Sequence, residues 1–131
     1  MAEPVWILES VVLAIHRRQL AEHGGAEGVQ DRNLLLSALD RPQNLLASSE
    51  VPPDMAAMAA AYAFGITRNP PFVDGNKRMA LVVCRTFLKV NGYDIEASQE
   101  DKYRTFLSLA EGSLSETELT HWIRVRLRET D

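Results

Sequence analysis

The chain has 131 residues and carries 14 lysines and arginines against 18 acidic residues, a formal net charge of −4. This length suits a single domain spanning 1–131, and the acidic balance excludes a protein that binds nucleic acid through a broad positive field. Apolar residues make up 46% of the chain and aromatic residues only 7%. Core volume must then come mainly from aliphatic side chains, which favours an all-α fold.

Cysteine usage and hydropathy indicate the compartment. The single cysteine, Cys84, cannot form an internal disulfide and lies in the apolar run Met79–Cys84, so a buried, unreactive thiol is expected. No run approaches the ~18 apolar residues of a membrane span, and the N-terminus lacks an export signal. The sequence therefore predicts a soluble, cytoplasmic protein with no membrane partner.

The first half of the chain predicts three helices. Apolar residues recur at helical spacing over Leu8–His23, and Gly24-Gly25 marks the end of that helix. A short second helix, capped by the aspartate at its start, is predicted over Asp31–Leu39 and is expected to end before Pro42. An alanine-rich third helix over 54–67 also begins at a capping aspartate, and its small side chains place it at the core.

The second half predicts three more helices after an interruption. Two prolines in the run 68–75 remove donors and push their preceding residues out of helical geometry, so a loop is expected there. A helix follows over Asn76–Val90 and ends at Asn91-Gly92. Two further helices, over 98–110 and 115–128, begin at serines with capping-box spacing. The prediction is a compact bundle of about six helices.

The loop sequence PFVDGNKR, Pro71–Arg78, carries the chemistry. Free N–H groups at a helix start favour phosphate oxygens, and Gly75 lets a ligand approach the backbone closely. Lys77 and Arg78 oppose the helix dipole there by about 0.3–1 kcal/mol each unless an anion is bound. Asp74 can hold a hydrated Mg²⁺ that bridges phosphates.

A purely structural interpretation of these residues is also open. Asp74 and Asn76 would then only cap a helix, and Lys77 and Arg78 would form a solvated face. In either interpretation Phe72 is expected to plug the core and pin the loop.

Taken together, the segment resembles the signature of the Fic/Doc family, His-x-Phe-x-Asp/Glu-Gly/Ala-Asn-Lys/Gly-Arg, in every fixed place except the first, which is Pro70 here. The N-terminal region, from Ile15-His16 through the glycines at 24, 25 and 28 to Arg41-Pro42, also resembles that of Doc (death on curing) toxins. Lys77, where Fic adenylyltransferases have glycine, and the small size point to the Doc branch.

The resemblance implies a toxin of a toxin–antitoxin pair that transfers phosphate from ATP to a hydroxyl of elongation factor Tu and halts translation. Fic relatives transfer AMP, and the sequence does not decide between the two groups. ATP and Mg²⁺ are the implied cofactors, with Asp74 as the Mg²⁺ ligand and Arg78 stabilising the charge of transfer. The implied nucleotide contacts are Arg68, Gly75, Asn76, Lys77 and Arg78.

Pro70 occupies the position of the family's catalytic histidine and cannot accept a proton. General-base help is typically worth ~10²–10⁴ in rate, so we expect strongly impaired transfer with binding retained. The sequence does not show whether Pro70 is natural or an inactivating mutation. His16, His23 and His121 are expected at the surface or at helix ends, with His16 left open as a substitute base.

The resemblance also implies a Phd-like antitoxin whose C-terminal segment folds as a helix into an apolar groove. The N-terminal helices are the expected walls, where Arg17, Arg18 and Arg32 would pair with antitoxin acids or form a solvated face. Two rivals stay open. Pro70 favours a non-catalytic module that binds nucleotide or antitoxin, whereas the −4 charge and the lack of a basic recognition helix disfavour a helix-turn-helix DNA binder.

Overall fold

A computed structural model describes residues 3–130 of the chain. Within that range it contains six α-helices and one pair of short antiparallel strands, which confirms the predicted all-α class. No helix of this range is long and apolar enough to cross a membrane. The elements in chain order are α1 (Glu9–His23), α2 (Arg32–Ser48), α3 (Met55–Arg68), α4 (Asn76–Val90), β1 (Tyr93–Ile95), α5 (Gln99–Glu111), α6 (Glu116–Arg124) and β2 (Leu127–Glu129).

Helix α3 lies at the centre of the bundle, as its small side chains predict. It packs against α2, α4 and α6, and every alanine of the helix except Ala57 is buried. Its one tyrosine, Tyr62, is fully buried, and its hydroxyl accepts a hydrogen bond from the Ile7 N–H at 3.1 Å. The Tyr62 ring also lies 5.0 Å from the ring of Phe87 on α4. A polar atom inside the core is therefore satisfied by the segment that precedes α1.

Helix α3 begins after Asp54, the capping residue that the sequence predicted. Asp54 accepts a hydrogen bond from the Ala57 N–H at 2.9 Å and so caps α3. Its carboxylate also pairs with Arg124 of α6 at 2.6 Å, and this bond lowers the pKa of Asp54 below its usual value. Cys84 is fully buried, as predicted, and burial raises the pKa of its thiol.

Helix α2 continues through Pro42 to Ser48, so the prediction that it ends before Pro42 is wrong. Proline removes one hydrogen bond, to the Ala38 carbonyl, at a cost of about 3 kcal/mol. Packing offsets this cost. Pro42 is buried, and the neighbouring Arg41 lies over the Phe64 ring of α3 at 4.7 Å and pairs with Glu116 of α6 at 2.6 Å. The contacts made by the second half of α2 thus outweigh the local break.

The prediction of a last helix through Arg128 is wrong as well, because α6 ends at Arg124. The chain then turns into β2, which pairs with β1 in the register Tyr93↔Glu129, Asp94↔Arg128 and Ile95↔Leu127. Three-residue strands are too short to show an alternating pattern in sequence. The pair lies at the edge of the bundle and is held there by Ile95, which is buried.

Close approach of α2 and α3 generates a test of the helix packing. A Cβ added at Gly65 would lie 3.1 Å from the Ala38 Cα. Gly65→Ala gains about 1 kcal/mol of helix propensity, but the overpacking costs about 1–3 kcal/mol, so we expect a net loss of stability in urea denaturation. Ala47→Gly, on an exposed position of α2, measures the propensity term alone. A stabilised Gly65→Ala variant would contradict this interhelical spacing.

Candidate active site

The loop between α3 and α4 is clamped by the segment that precedes α2. The Gln30 N–H donates to the Pro71 carbonyl at 2.7 Å, and the Val73 N–H donates to the Gly28 carbonyl at 3.1 Å. These bonds flank an isolated antiparallel bridge between Val29 and Phe72. Residues 71–73 therefore have a strand-like backbone partner and are not a free loop.

Phe72 and His16 anchor the loop to α1. The Phe72 side chain is buried, as predicted, and its ring stacks on the His16 imidazole with centroids 4.0 Å apart. His16 Nε2 lies 2.9 Å from the Asp74 carbonyl oxygen, which can only accept, so Nε2 carries the proton. His16 is 3% exposed, so the expectation of a surface or helix-end residue is wrong. Its buried imidazole therefore anchors the loop to α1.

Asn76 closes the loop from the other side. Its Oδ1 accepts from the Phe72 N–H at 3.0 Å, and its Nδ2 donates to the Phe72 carbonyl at 2.9 Å. Both backbone groups of Phe72 are thus satisfied by one side chain. This bonding gives Asn76 a structural role at the site, while a phosphate contact by its second amide hydrogen stays a prediction.

Helix α4 begins without a side-chain cap. Gly75 is its N-cap with φ 82°, a left-handed conformation that favours glycine, and no side chain accepts from the first turn. The first backbone bond at this end runs from the Met79 N–H to the Gly75 carbonyl at 2.9 Å. Exposed Lys77 and Arg78 stand in the same turn, and neither makes an ion pair within residues 3–130. Uncapped N–H groups and unneutralised cations therefore meet at the positive end of the helix dipole.

Asp74 presents its carboxylate beside this helix start. Its Oδ1 accepts from the Gly75 N–H at 2.8 Å and its Oδ2 from the Ala26 N–H at 3.4 Å. Gly25 allows this approach, because a Cβ there would lie 2.9 Å from Oδ2. No cluster of three metal-ligating side chains occurs in the described part of the chain. An exposed single carboxylate fits Mg²⁺ only where phosphate oxygens and water complete the shell, which is how Mg²⁺ commonly binds.

The predicted site residues, with one exception, line a common cleft of about 670 Å³. One wall is the loop with the start of α4, and it contains Pro70, Asp74, Gly75, Asn76, Lys77 and Arg78. Arg68 is the exception. It lies outside this cleft, with its guanidinium 6.0 Å from the Phe64 ring centroid, and lines a separate groove instead.

The opposite wall of the cleft was not predicted from the sequence. Helix α5 supplies it through side chains at a spacing of three and four residues: Tyr103, Phe106, Leu107 and Ala110. That helical periodicity was the available signal, but it could not show which partner the face would meet. His23, at the end of α1 as expected, is the one histidine among the residues that line the cleft, and its Nε2 lies 3.8 Å from the Glu22 carboxylate.

A larger groove of about 1400 Å³ lies between α2, α3 and α6. Its walls are largely apolar, and Arg68 and His121 line it. Of the arginines expected to meet a partner at the N-terminal helices, Arg18 pairs with Glu22 and Arg32 with Glu9, each at 3.0 Å. The residues that line the groove belong to α2 and later parts of the chain, and none of them belongs to α1.

The two hydrogen bonds between the Asn76 side chain and the Phe72 backbone predict a measurable effect on stability. Asn76→Ala removes both hydrogen bonds, each worth about 0.5–1.5 kcal/mol, so we expect about 1–3 kcal/mol of destabilisation and faster hydrogen exchange at the Phe72 amide without any ligand. Asn44→Ala, at an exposed position inside α2, is the matched control and should not destabilise. Equal stability of the two variants would contradict the clamp.

The chain is similar in sequence to known proteins of one family. The family model described as Fic/DOC family matches residues 6–88, from the segment before α1 to the second half of α4. "Toxin Doc" of Mycolicibacterium smegmatis is 39% identical over 74 residues, which are 56% of this chain and 57% of that protein. "Protein kinase doc" of Escherichia phage P1 is 30% identical over 89 residues, 68% of this chain and 70% of that protein. The chain belongs to the Fic/DOC family, and these relatives within it are Doc proteins.

Proposed function

We propose that the chain is the toxin of a toxin–antitoxin pair and that its cleft binds ATP and transfers phosphate to a hydroxyl of a translation factor, elongation factor Tu. The observation that carries the proposal is the uncapped start of α4 beside Lys77 and Arg78. Such an end has positive charge and N–H donors to which no side chain bonds, and it is therefore the complement of a polyphosphate. A relative named as a protein kinase supports the choice of phosphate.

The loop, the start of α4 and the facing side of α5 have separate tasks in this proposal. The N–H groups of the first turn of α4 and the Lys77 ammonium bind phosphate oxygens, and Arg78 clamps them with its planar fork. Asp74 holds Mg²⁺, which neutralises phosphate charge when bound. The apolar face of α5 covers the opposite side of the cleft and excludes water from the transfer. AMP transfer, as in Fic enzymes, uses the same phosphate contacts and is the neighbouring alternative.

Pro70 sets the limit on activity. It lies at the cleft in the position where the family signature has histidine, and its ring has no group that can accept the proton of a target hydroxyl. Without a base the transfer loses its usual ~10²–10⁴-fold assistance, whereas the phosphate contacts stay in place. We therefore propose a catalytically impaired toxin.

The second candidate is a non-catalytic module that captures nucleotide or antitoxin. Pro70 favours it, since a chain that has lost its base retains every binding group of the cleft. The groove between α2, α3 and α6 suits the apolar face of an antitoxin helix, and Arg68 at its side supplies a cation without an ion pair among residues 3–130. Both candidates place the protein in the cytoplasm, with no membrane or direct nucleic-acid partner.

The phosphate contacts are tested by nucleotide affinity. Arg78→Ala should weaken binding of Mg²⁺-ATP by roughly tenfold or more, because a charged hydrogen bond is worth about 1.5–3 kcal/mol. Arg17→Ala removes an exposed arginine of α1 that makes no ion pair in the described range and should leave the affinity unchanged. Isothermal calorimetry on both variants checks the assignment. Equal affinities would remove Arg78 from the site.

The role of position 70 is tested by restoring the base. Pro70→His should raise the rate of phosphate transfer to elongation factor Tu by up to ~10²–10⁴-fold with little change in ATP affinity, and should arrest growth when expressed without an antitoxin. Pro70→Ala releases the fixed φ of proline without supplying a base, so it should stay inactive.

Mass spectrometry of the treated factor identifies the group that is transferred, phosphate or AMP. If Pro70→His is as harmless as the parent, residue 70 is not at the position of the base; ATP binding retained by that variant would then favour the binding-module candidate. If Pro70→Ala gains as much activity as Pro70→His, then residue 70 is not at the position of the base and the alignment of the signature is wrong.

A further inference from the structure

A second cluster of cations lies at the other end of α4. Arg85 and Lys89 lie four residues apart on α4, Lys102 comes from α5 and Arg128 from β2, and the charges of the other three cations and of Asp94 on β1 all act on Lys102. Asp94 and Arg128 are direct partners in the two-stranded ladder, so both side chains project from the same face of the strand pair.

The Asp94 carboxylate forms an ion pair with one of the four cations, Arg85. Arg85 donates to both oxygens of Asp94, at 3.4 and 3.3 Å, and the Ile95 N–H donates to Oδ1 at 2.8 Å. Burial alone would raise the pKa of Asp94, but the bond from Arg85 holds it below the usual value. Lys89, Lys102 and Arg128 make no ion pair within residues 3–130.

Lys102 is the unusual member of the cluster. It is only 7% exposed, yet no hydrogen bond or ion pair to its ammonium occurs in the described part of the chain. Every fully buried side-chain nitrogen and oxygen in that part has a partner, so the ammonium must reach solvent while its stem is covered. Burial and the nearby Arg85 lower the pKa of Lys102, although Asp94 acts in the opposite direction.

The positive charge of this cluster is opposite in sign to the net charge of the chain. The chain has a net charge of −4, yet Arg85, Lys89, Lys102 and Arg128 lie near one another and only Arg85 pairs with Asp94. Like charges held close together destabilise a fold. A bound multivalent oxyanion would reverse this effect, as expected of a ligand site.

We propose that Lys89, Lys102 and Arg128, backed by the Arg85–Asp94 pair, form a binding site for a phosphate-class oxyanion. The site is separate from the proposed nucleotide cleft. Arg78 and Lys89 are 11 residues apart on one helix, which separates their Cα atoms by about 16 Å. The inference does not rest on the proposed function, because it uses none of the residues that line the cleft.

The test uses the full chain carrying Arg78→Ala, so that the start of α4 is weakened as a competing anion site. Inorganic pyrophosphate should raise the Tm of this protein, while sodium chloride at equal ionic strength should not. Lys102→Met in the same background should weaken pyrophosphate binding roughly tenfold or more, measured by ³¹P NMR titration. Arg104→Gln, an exposed site on the same helix that pairs with Glu100, is the charge-matched control and should bind normally.

The stability of the protein without anion distinguishes a binding role of Lys102 from a purely structural one. Lys102→Met keeps the covered stem and removes the repulsion, so its Tm without anion should be equal to or above that of its parent. Arg128→Gln, at an exposed strand position, provides a second variant with the same predicted loss of binding if Lys102→Met does not fold. No Tm rise with pyrophosphate, a rise that chloride reproduces, or equal losses in Arg104→Gln and Lys102→Met would each overturn the proposal.

Discussion

The candidate site depends on how a short loop is held at Phe72. Its backbone N–H and carbonyl are both taken by Asn76, its ring stacks on His16, and its neighbours on either side bond to residues 28–31. The clamp joins three parts of the chain that are far apart in sequence. Because the loop cannot slide, Gly75 is fixed in its left-handed conformation, and α4 begins at one defined point with its first N–H groups open.

The charges at the start of α4 destabilise the free protein, and a bound anion would offset this cost. Lys77 and Arg78 oppose the dipole of α4, and no carboxylate within residues 3–130 pairs with them. The clamp acts on Phe72 and its direct neighbours, whereas Pro70 is exposed at the edge of the loop and Pro71 beside it is buried. A change at position 70 can therefore remove the base without disturbing the backbone that faces phosphate. Binding and proton abstraction are separable in this fold for that reason.

Local signals predicted most of the helices because their ends are set by local chemistry. Asp31, Asp54, Ser98 and Ser115 all accept hydrogen bonds from the first turns that they were predicted to cap. The errors came from distant contacts. Helix α2 passes through Pro42 because of packing on α3, and β2 exists only because β1 is available to pair with it.

The site shows the same division between local and distant information. The signature run from Pro70 to Arg78 is continuous in sequence, so its residues could be assigned to one cleft before the structure. The support from His16 depends on a contact across 58 positions, and the wall supplied by α5 depends on the bundle closing. The sequence carried Ile15-His16 as part of a family resemblance, but nothing in its spacing placed the imidazole beneath the loop.

The central claim is that the start of α4 receives nucleotide phosphates even though residue 70 is proline. Backbone ¹H–¹⁵N NMR of the unmodified chain, titrated with a Mg²⁺ complex of a non-hydrolysable ATP analogue, tests this claim directly. We expect the largest chemical-shift changes at the amides of Asn76, Lys77 and Arg78, with smaller changes along the facing side of α5. Saturating analogue that leaves these three amides unshifted would contradict it.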